Sequence, residues 1–228
     1  MDERTCRPNT PACVYSYYAH SLPGKPPDQW QPLDEHLNNV ANLAGEFAAK
    51  FDAEDWARVS GLLHDIGKSS LKFQDYLRSH EEASAETESG RVDHSTAGAQ
   101  CAVAALPIIG HLLAYIVAGH HSGLLDGRAV GACQENRLKK EISRWDNDAL
   151  PPIQWTDLTL PSSVRGALGN PRDPFVIAFF VRMVFSTLVD ADFLDTEAFN
   201  GTLSSIGQGG VSKHCNAPCS IYPIIGAI

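Results

Sequence analysis

Gly61-Leu62-Leu63-His64-Asp65-Ile66-Gly67-Lys68 decides how this chain is read. A histidine and an aspartate stand side by side at the end of an apolar run. Two polar groups in such a place are costly unless something binds them. A divalent cation uses both, because imidazole nitrogen and carboxylate oxygen each suit it. The run itself continues upstream at helical spacing through Trp56, Val59, Leu62, Leu63 and Ile66, with Asp52 placed to cap it and Glu54 and Asp55 in its first turn. Gly67 reads as its stop.

Outward from this stretch the pattern stays helical. Pro32 suits a first turn, and Leu33, Leu37, Val40, Ala44 and Phe47 form one apolar face. His36, three after Leu33 and four before Val40, lies near that face. A short helix carries Leu71, Phe73, Tyr76 and Leu77. Residues 79–92 are acidic and rich in Ser, Ala and Gly, and read as a loop. A helix opens at Asp93 or Ser95 and runs through Ala105. Another spans Ile108 to Ala118 and ends in Gly119-His120-His121-Ser122-Gly123. A charged helical stretch covers Gln134 to Trp145, residues 151–173 read as a Pro-rich loop, and the longest apolar helix starts at Asp173-Pro174 and reaches Asp190 and Asp192. With no strand pattern along the chain, the expected fold class is all-α, a helical bundle in residues 1–200 with a weakly patterned tail in 201–228.

Composition bounds the function. The 228 residues are 43% hydrophobic and 20% charged, as in an ordinary packed domain. The net charge of −9 lacks the basic footprint of a duplex-DNA binder. Met1-Asp2-Glu3-Arg4 opens no signal peptide, and the apolar run Phe175 to Val189 contains Arg182 and falls short of the ~20 residues of a membrane span. Six irregularly spaced cysteines read as reduced thiols, so a cytoplasmic setting with no membrane partner is expected. His214, Cys215 and Cys219 are half of a zinc pattern without a second half.

Five places carry potential metal ligands on or beside apolar helices: His36, His64-Asp65, His94, His120-His121 and Asp190. A lone histidine on an apolar face is more often a hydrogen-bonded core residue, but the coincidence of five is informative. Asp190 stands near the C-terminal end of its helix, where a carboxylate opposes the dipole and calls for a cation. Five histidines and two carboxylates exceed one tetrahedral site and suit two neighbouring metals with one carboxylate bridging. Such a pair clamps the attacking and leaving oxygens of a displacement at phosphorus. Mixed imidazole and carboxylate ligation suits Mn, Fe, Co, Ni or Zn better than the oxygen-preferring Mg or Ca, and Mn, Fe, Ni or Co are expected ahead of Mg or Zn. Lys68, three residues after Asp65, is placed to hold a phosphate oxygen.

These motifs resemble the HD superfamily of metal-dependent phosphohydrolases, and within it the HD nuclease domain of the CRISPR-associated helicase-nuclease of type I systems. The resemblance runs through Tyr18-Ala19-His20-Ser21, Trp30-Gln31-Pro32-Leu33-Asp34-Glu35-His36-Leu37, Leu63-His64-Asp65-Ile66-Gly67-Lys68, Asp93-His94-Ser95, Gly119-His120-His121-Ser122-Gly123 and Leu188-Val189-Asp190-Ala191-Asp192-Phe193-Leu194-Asp195-Thr196-Glu197, about residues 15–199. It implies that His36, His64, Asp65 and Asp190 hold one metal, that Asp65 bridges to a second held by His94, His120 and His121, and that Asp65 and Lys68 are catalytic. It further implies cleavage of single-stranded DNA alongside a superfamily 2-type helicase, in cis or in trans, and a Cascade-type RNA-guided complex. The chain has no Gly-x-x-x-x-Gly-Lys-Ser/Thr phosphate loop, so the helicase is expected outside it. A helicase that feeds the strand fits the acidic charge, since single strands are held by a local groove and stacking. The competing readings are an HD phosphohydrolase acting on nucleotides or cyclic nucleotides, and a metal-stabilised binding module without turnover.

Overall fold

The structure is a computed structural model, and it describes residues 17–79, 92–149, 151–155, 158–167 and 174–206. Helix α1 (Leu33–Ala48) starts directly after Pro32, whose extended backbone and fixed φ set the entry, with Asp34 and Glu35 on the positive end of the dipole. Its inner face is Leu33, His36, Leu37, Val40, Ala41, Ala44 and Ala48, all buried. Helix α2 (Glu54–Leu63) packs back against α1. Asp52 does not cap it: this residue adopts the left-handed region (φ 57°) and turns the chain, and Ala53 takes the cap position without a side-chain bond. The two helices approach so closely at Gly61 that a Cβ there would stand 2.5 Å from the Ala41 Cα. α2 ends at Leu63, earlier than Gly67, and a 3-10 turn, Ile66–Ser69, follows.

Gly67 is glycine for a different reason from a helix stop. A Cβ on it would collide with the His94 backbone, so its bareness lets the segment at His94 lie on the 3-10 turn. Helices α3 (Leu71–Ser79), α4 (Ser95–Ala105) and α5 (Gly110–Gly119) agree with the apolar spacing, α5 beginning two residues after Ile108. The core joins Trp56 and Leu63 of α2 and Leu113 and Ile116 of α5 to Val184 and Leu188 of the C-terminal helix. The Trp56 Nε1–H donates to the Thr159 carbonyl (2.9 Å), which satisfies its one polar atom.

Three expectations give way to packing. Two short antiparallel strands, β1 (Tyr18–His20) and β2 (Gln31–Pro32), pair Tyr18 with Pro32 and His20 with Gln31. They are too short to carry an alternating pattern. Of the charged stretch 134–145, only α6 (Gln134–Leu138) is helical. Gln100 takes the Leu138 and Lys140 carbonyls, Tyr17 donates its hydroxyl to Asp146, and Ile142 and Trp145 pack beside Leu33 and Ile66, which draws residues 139–149 into a strap. Within the Pro-rich segment, α7 (Ser162–Ala167) forms and lies on α8.

Helix α8 (Pro174–Ile206) runs past the expected boundary at 200. It is the one helix among the described residues long and apolar enough to cross a membrane, with a mean hydropathy of 1.7 in an 18-residue window within Pro174–Gly201. Its inner face, Phe180, Val181, Val184, Leu188 and Ala191, is buried against α1, α2 and α5, and Asp195 lies on that same side. Cys101 and Cys133 are free thiols. Cys6, Cys13, His214, Cys215, Cys219, most of the 79–92 loop and nearly all of the 201–228 tail lie outside the described residues.

The α1–α2 contact has no room for a methyl group, and the obstructing atoms are backbone. Gly61→Ala is expected to lower unfolding free energy by about 1–3 kcal/mol, read as a lower denaturant midpoint with an unchanged slope.

Candidate metal centre

The ends of helices build the site. His64 is the residue at which α2 stops, and its Nδ1–H donates to the Gly61 carbonyl (2.7 Å), one of the carbonyls that a helix end leaves without an amide partner. His120 does the same at the end of α5, bonding the Val117 carbonyl at 2.7 Å. His94 precedes α4 and bonds the Val92 carbonyl at 3.0 Å. On α1, His36 donates from Nδ1 to Asp195 Oδ2 at 2.7 Å. A carbonyl only accepts, so Nδ1 carries the proton in the first three, and each Nε2 presents a lone pair inward.

These Nε2 atoms converge on Asp65, which is 1% exposed. Its Oδ1 lies 3.3 Å from His94 Nε2 and 3.3 Å from His120 Nε2. Its Oδ2 lies 3.5 Å from His36 Nε2 and 3.4 Å from His64 Nε2. Neither oxygen has a hydrogen-bond partner, and neither does His120 Nε2. Lys68 forms an ion pair with Oδ2 (2.6 Å), donates to the Ala19 carbonyl (3.1 Å) and is only 5% exposed. In this arrangement the ammonium holds the carboxylate; it does not project into solvent.

The electrostatics follow from burial and charge. Burial opposes ionisation of Asp65, but the charges of Lys68 and His64 outweigh it and hold the carboxyl well below its ordinary value. Burial also disfavours charge on His36, yet the hydrogen bond to Asp195 and the nearby negative charge of Asp65 raise it above the ordinary histidine value. His36 Nε2 stands 3.2 Å from His64 Nε2, so a positive species, proton or metal, has to sit between two lone pairs. Burial lowers His94 to about 4 and His121 to about 3, leaving both as neutral imidazoles, the form that binds metal. Their Nε2 atoms are 2.9 Å apart.

Two ligand groups result, each with its donor atoms within 4.8 Å of one another: His36, His64, Asp65 and Asp192, and Asp65, His94, His120 and His121. They share Asp65 and divide between its two oxygens. Orphaned buried acceptors and facing lone pairs are what a pair of divalent cations would satisfy, so the donor set fits the group.

Asp190 is a correction. It is exposed, and Asp192 takes the place expected of it, with Oδ1 at 3.5 Å from His36 Nε2 and 3.6 Å from His64 Nε2. The reason is helical phase. Leu188, Ala191 and Asp195 mark the buried face of α8, Asp192 adjoins it, and Asp190 is half a turn away. Burial opposes ionisation of Asp192, and its closeness to His64 overrides it, so the carboxyl is driven far below its usual range.

Two further residues belong to the site without having been singled out. Asp195 accepts from His36, from Gln31 Nε2 (2.7 Å) and from Asn39 Nδ2 (2.8 Å), and so fixes the His36 tautomer. Its spacing from Ala191 was the available signal. His20, on β1, sets its ring edge-on to His36 (centroids 4.9 Å apart) and lies 3.4 Å from the Thr196 hydroxyl. Burial, then Lys68 and His36, push it down to about 2, so it is neutral.

Metal content separates the two aspartates. Asp192→Ala is expected to lose the ion of the His36–His64 group, leaving about one of two ions, whereas Asp190→Ala retains wild-type content, both read by elemental analysis after dialysis.

A search of curated proteins returned no match. The HD domain profile, by contrast, matches residues 33–147, from the start of α1 through α5 and the strap, and so spans His36, His64, Asp65, His94, His120 and His121. This match covers half of the chain and fits the donor set above, and on that footing the protein belongs to the HD domain family of metal-dependent phosphohydrolases.

Proposed function

We propose that this protein is a metal-dependent DNA nuclease that cleaves phosphodiester bonds, with single-stranded DNA preferred. It works in the cytoplasm in CRISPR interference, beside a superfamily 2-type helicase in cis or in trans and a Cascade-type RNA-guided complex. The hydrolytic part of this reading rests on Asp65, whose two oxygens each face one pair of histidines. The strand-cutting part rests on the resemblance of the Gly119–Gly123 and Val189–Glu197 motifs. It is supported by the openness of the centre on one side, where His121 is exposed while His36, His64 and Asp65 are buried.

His36, His64, Asp65 and Asp192 would hold one ion, and Asp65, His94, His120 and His121 the other, with Mn, Fe, Ni or Co favoured by the mixed donors. Bound there, such ions supply Lewis-acid charge neutralisation at phosphorus and acidify water. The remaining work is done by side chains. Lys68 keeps the Asp65 carboxylate ionised and oriented. Asp195, itself held by Gln31 and Asn39, keeps the proton of His36 on Nδ1. Hydrolysis adds water across a P–O bond: the water gives up a proton and the departing sugar oxygen acquires one. Neutral His20 stands at the edge of this chemistry, beside Thr196.

The protein loaded with Mn, Fe, Co or Ni is expected to cut single-stranded DNA, chelation to stop it, and Asp65→Ala to reduce cutting to background. Turnover of nucleotides or cyclic nucleotides with DNA left intact would instead assign the small-substrate reading. Full metal occupancy with no hydrolysis of any phosphoester would leave a binding module.

A further inference from the structure

Arg137, on α6, is brought to the rim of the centre from a segment that carries no metal ligand. Its three bonded N–H groups go to neutral hydroxyls: Nε to Thr96 Oγ1 (3.1 Å), Nη1 to Ser122 Oγ (3.3 Å) and Nη2 to Ser95 Oγ (2.6 Å). Ser95 directly follows His94, and Ser122 directly follows His121. The guanidinium therefore bridges the two outer histidines, on the side where the centre meets solvent.

Its one ion pair is long. The nearest carboxylate oxygen is Asp93 Oδ1 at 4.0 Å. Asp93 is already engaged by Lys140 Nζ (2.6 Å), the Thr96 hydroxyl (2.9 Å) and the Thr96 amide (3.2 Å). The Arg137 side chain is 20% exposed, so a largely desolvated cation is hydrogen-bonded only to hydroxyls and has one long ion pair, shared with Lys140. Two of the five guanidinium N–H groups remain beyond the three hydroxyl bonds, and each serine that accepts from Arg137 still has its own proton to donate. A planar fork of donors flanked by hydroxyls matches a phosphate.

We propose that Arg137, held from beneath by buried Ser95 and Thr96, forms with exposed Ser122 a phosphate subsite that holds a second phosphate of a single-stranded polynucleotide next to the one being cleaved. This rests on the strand-cutting reading given above and deepens it. The subsite is built on the neighbours in sequence of His94 and His121 and not on the metal ligands themselves, so it serves a substrate with more than one phosphate. It makes the centre select for a chain over a nucleoside monophosphate. The chain as a whole is acidic, and neighbouring Lys139 and Lys140 are paired with Glu135 and Asp93, so Arg137 is the local cation that supplies the attraction that the net charge of −9 does not.

The test uses the full chain stripped of metal, with binding of a fluorescent single-stranded oligothymidylate followed by anisotropy over ~50–200 mM NaCl. Arg137→Gln, which keeps donors toward the hydroxyls, is expected to weaken binding roughly tenfold or more and to reduce the slope of log K against log salt by about 0.7. Arg137→Lys is expected to retain the slope. In the metal-loaded protein, kcat/KM for the oligonucleotide should fall at least tenfold more in Arg137→Gln than kcat/KM for bis(p-nitrophenyl) phosphate, a fall that mere loosening of His94 and His121 would impose on both substrates alike. Wild-type affinity and slope in Arg137→Gln, with DNA still cut, would overturn the subsite alone. A wild-type protein that neither binds nor cuts the strand overturns the nuclease reading, and the subsite with it.

Discussion

An ionised carboxylate buried at the junction of two helices is the constraint from which the rest of the structure follows. Asp65 is enclosed on every side, yet it keeps its charge because Lys68 and the surrounding imidazoles outweigh the loss of water. To reach it, α2 has to stop at Leu63, the 3-10 turn has to bring Lys68 back, and the hairpin strand β1 has to offer the Ala19 carbonyl to the ammonium. Gln74 ties this together by bonding both the Tyr18 and Lys68 carbonyls and accepting from the Tyr18 amide. The bundle is thus arranged around a polar point as much as around its apolar core.

Such a centre strains the fold that carries it. Imidazole lone pairs face one another, and Asp65 Oδ1 lacks the hydrogen bond or ammonium partner that its Oδ2 finds in Lys68. Buried polar groups left in this state destabilise a protein. A cation that binds only the folded chain returns that free energy on binding, so occupancy and stability are linked. The apolar part of the core, Trp56, Leu63, Leu113, Ile116 and Leu188, has to hold the ligands in register regardless.

Much of this was legible in the sequence, and the exceptions have physical causes. Apolar spacing located α1, α2, α4 and α5, because each has one face against the core. It placed α8 as well, but the dipole argument used for Asp190 concerns the end of a helix and says nothing about its face. The periodicity of Leu188, Ala191 and Asp195 carries that information, and it points to Asp192. The strap after α6 was unreadable because its course is set by Gln100, Ser69 and Tyr17, residues far away in sequence. Gly67 looked like punctuation, and only the His94 backbone lying on it shows that it serves an approach between segments. Asp195 sat in a quoted motif, but its hold on His36 depends on two helices meeting.

The way the histidines are oriented has a consequence for how this scaffold can change. His64, His94 and His120 take their tautomers from the carbonyls of Gly61, Val92 and Val117, atoms that every amino acid possesses. No substitution at those three positions removes the carbonyl itself. Only His36 is set by a side chain, Asp195. The orientation of three inward-facing imidazoles is therefore insulated from sequence drift, and the surface around them, Arg137 and its serines included, is free to diverge toward other phosphoesters while the inner chemistry stays fixed.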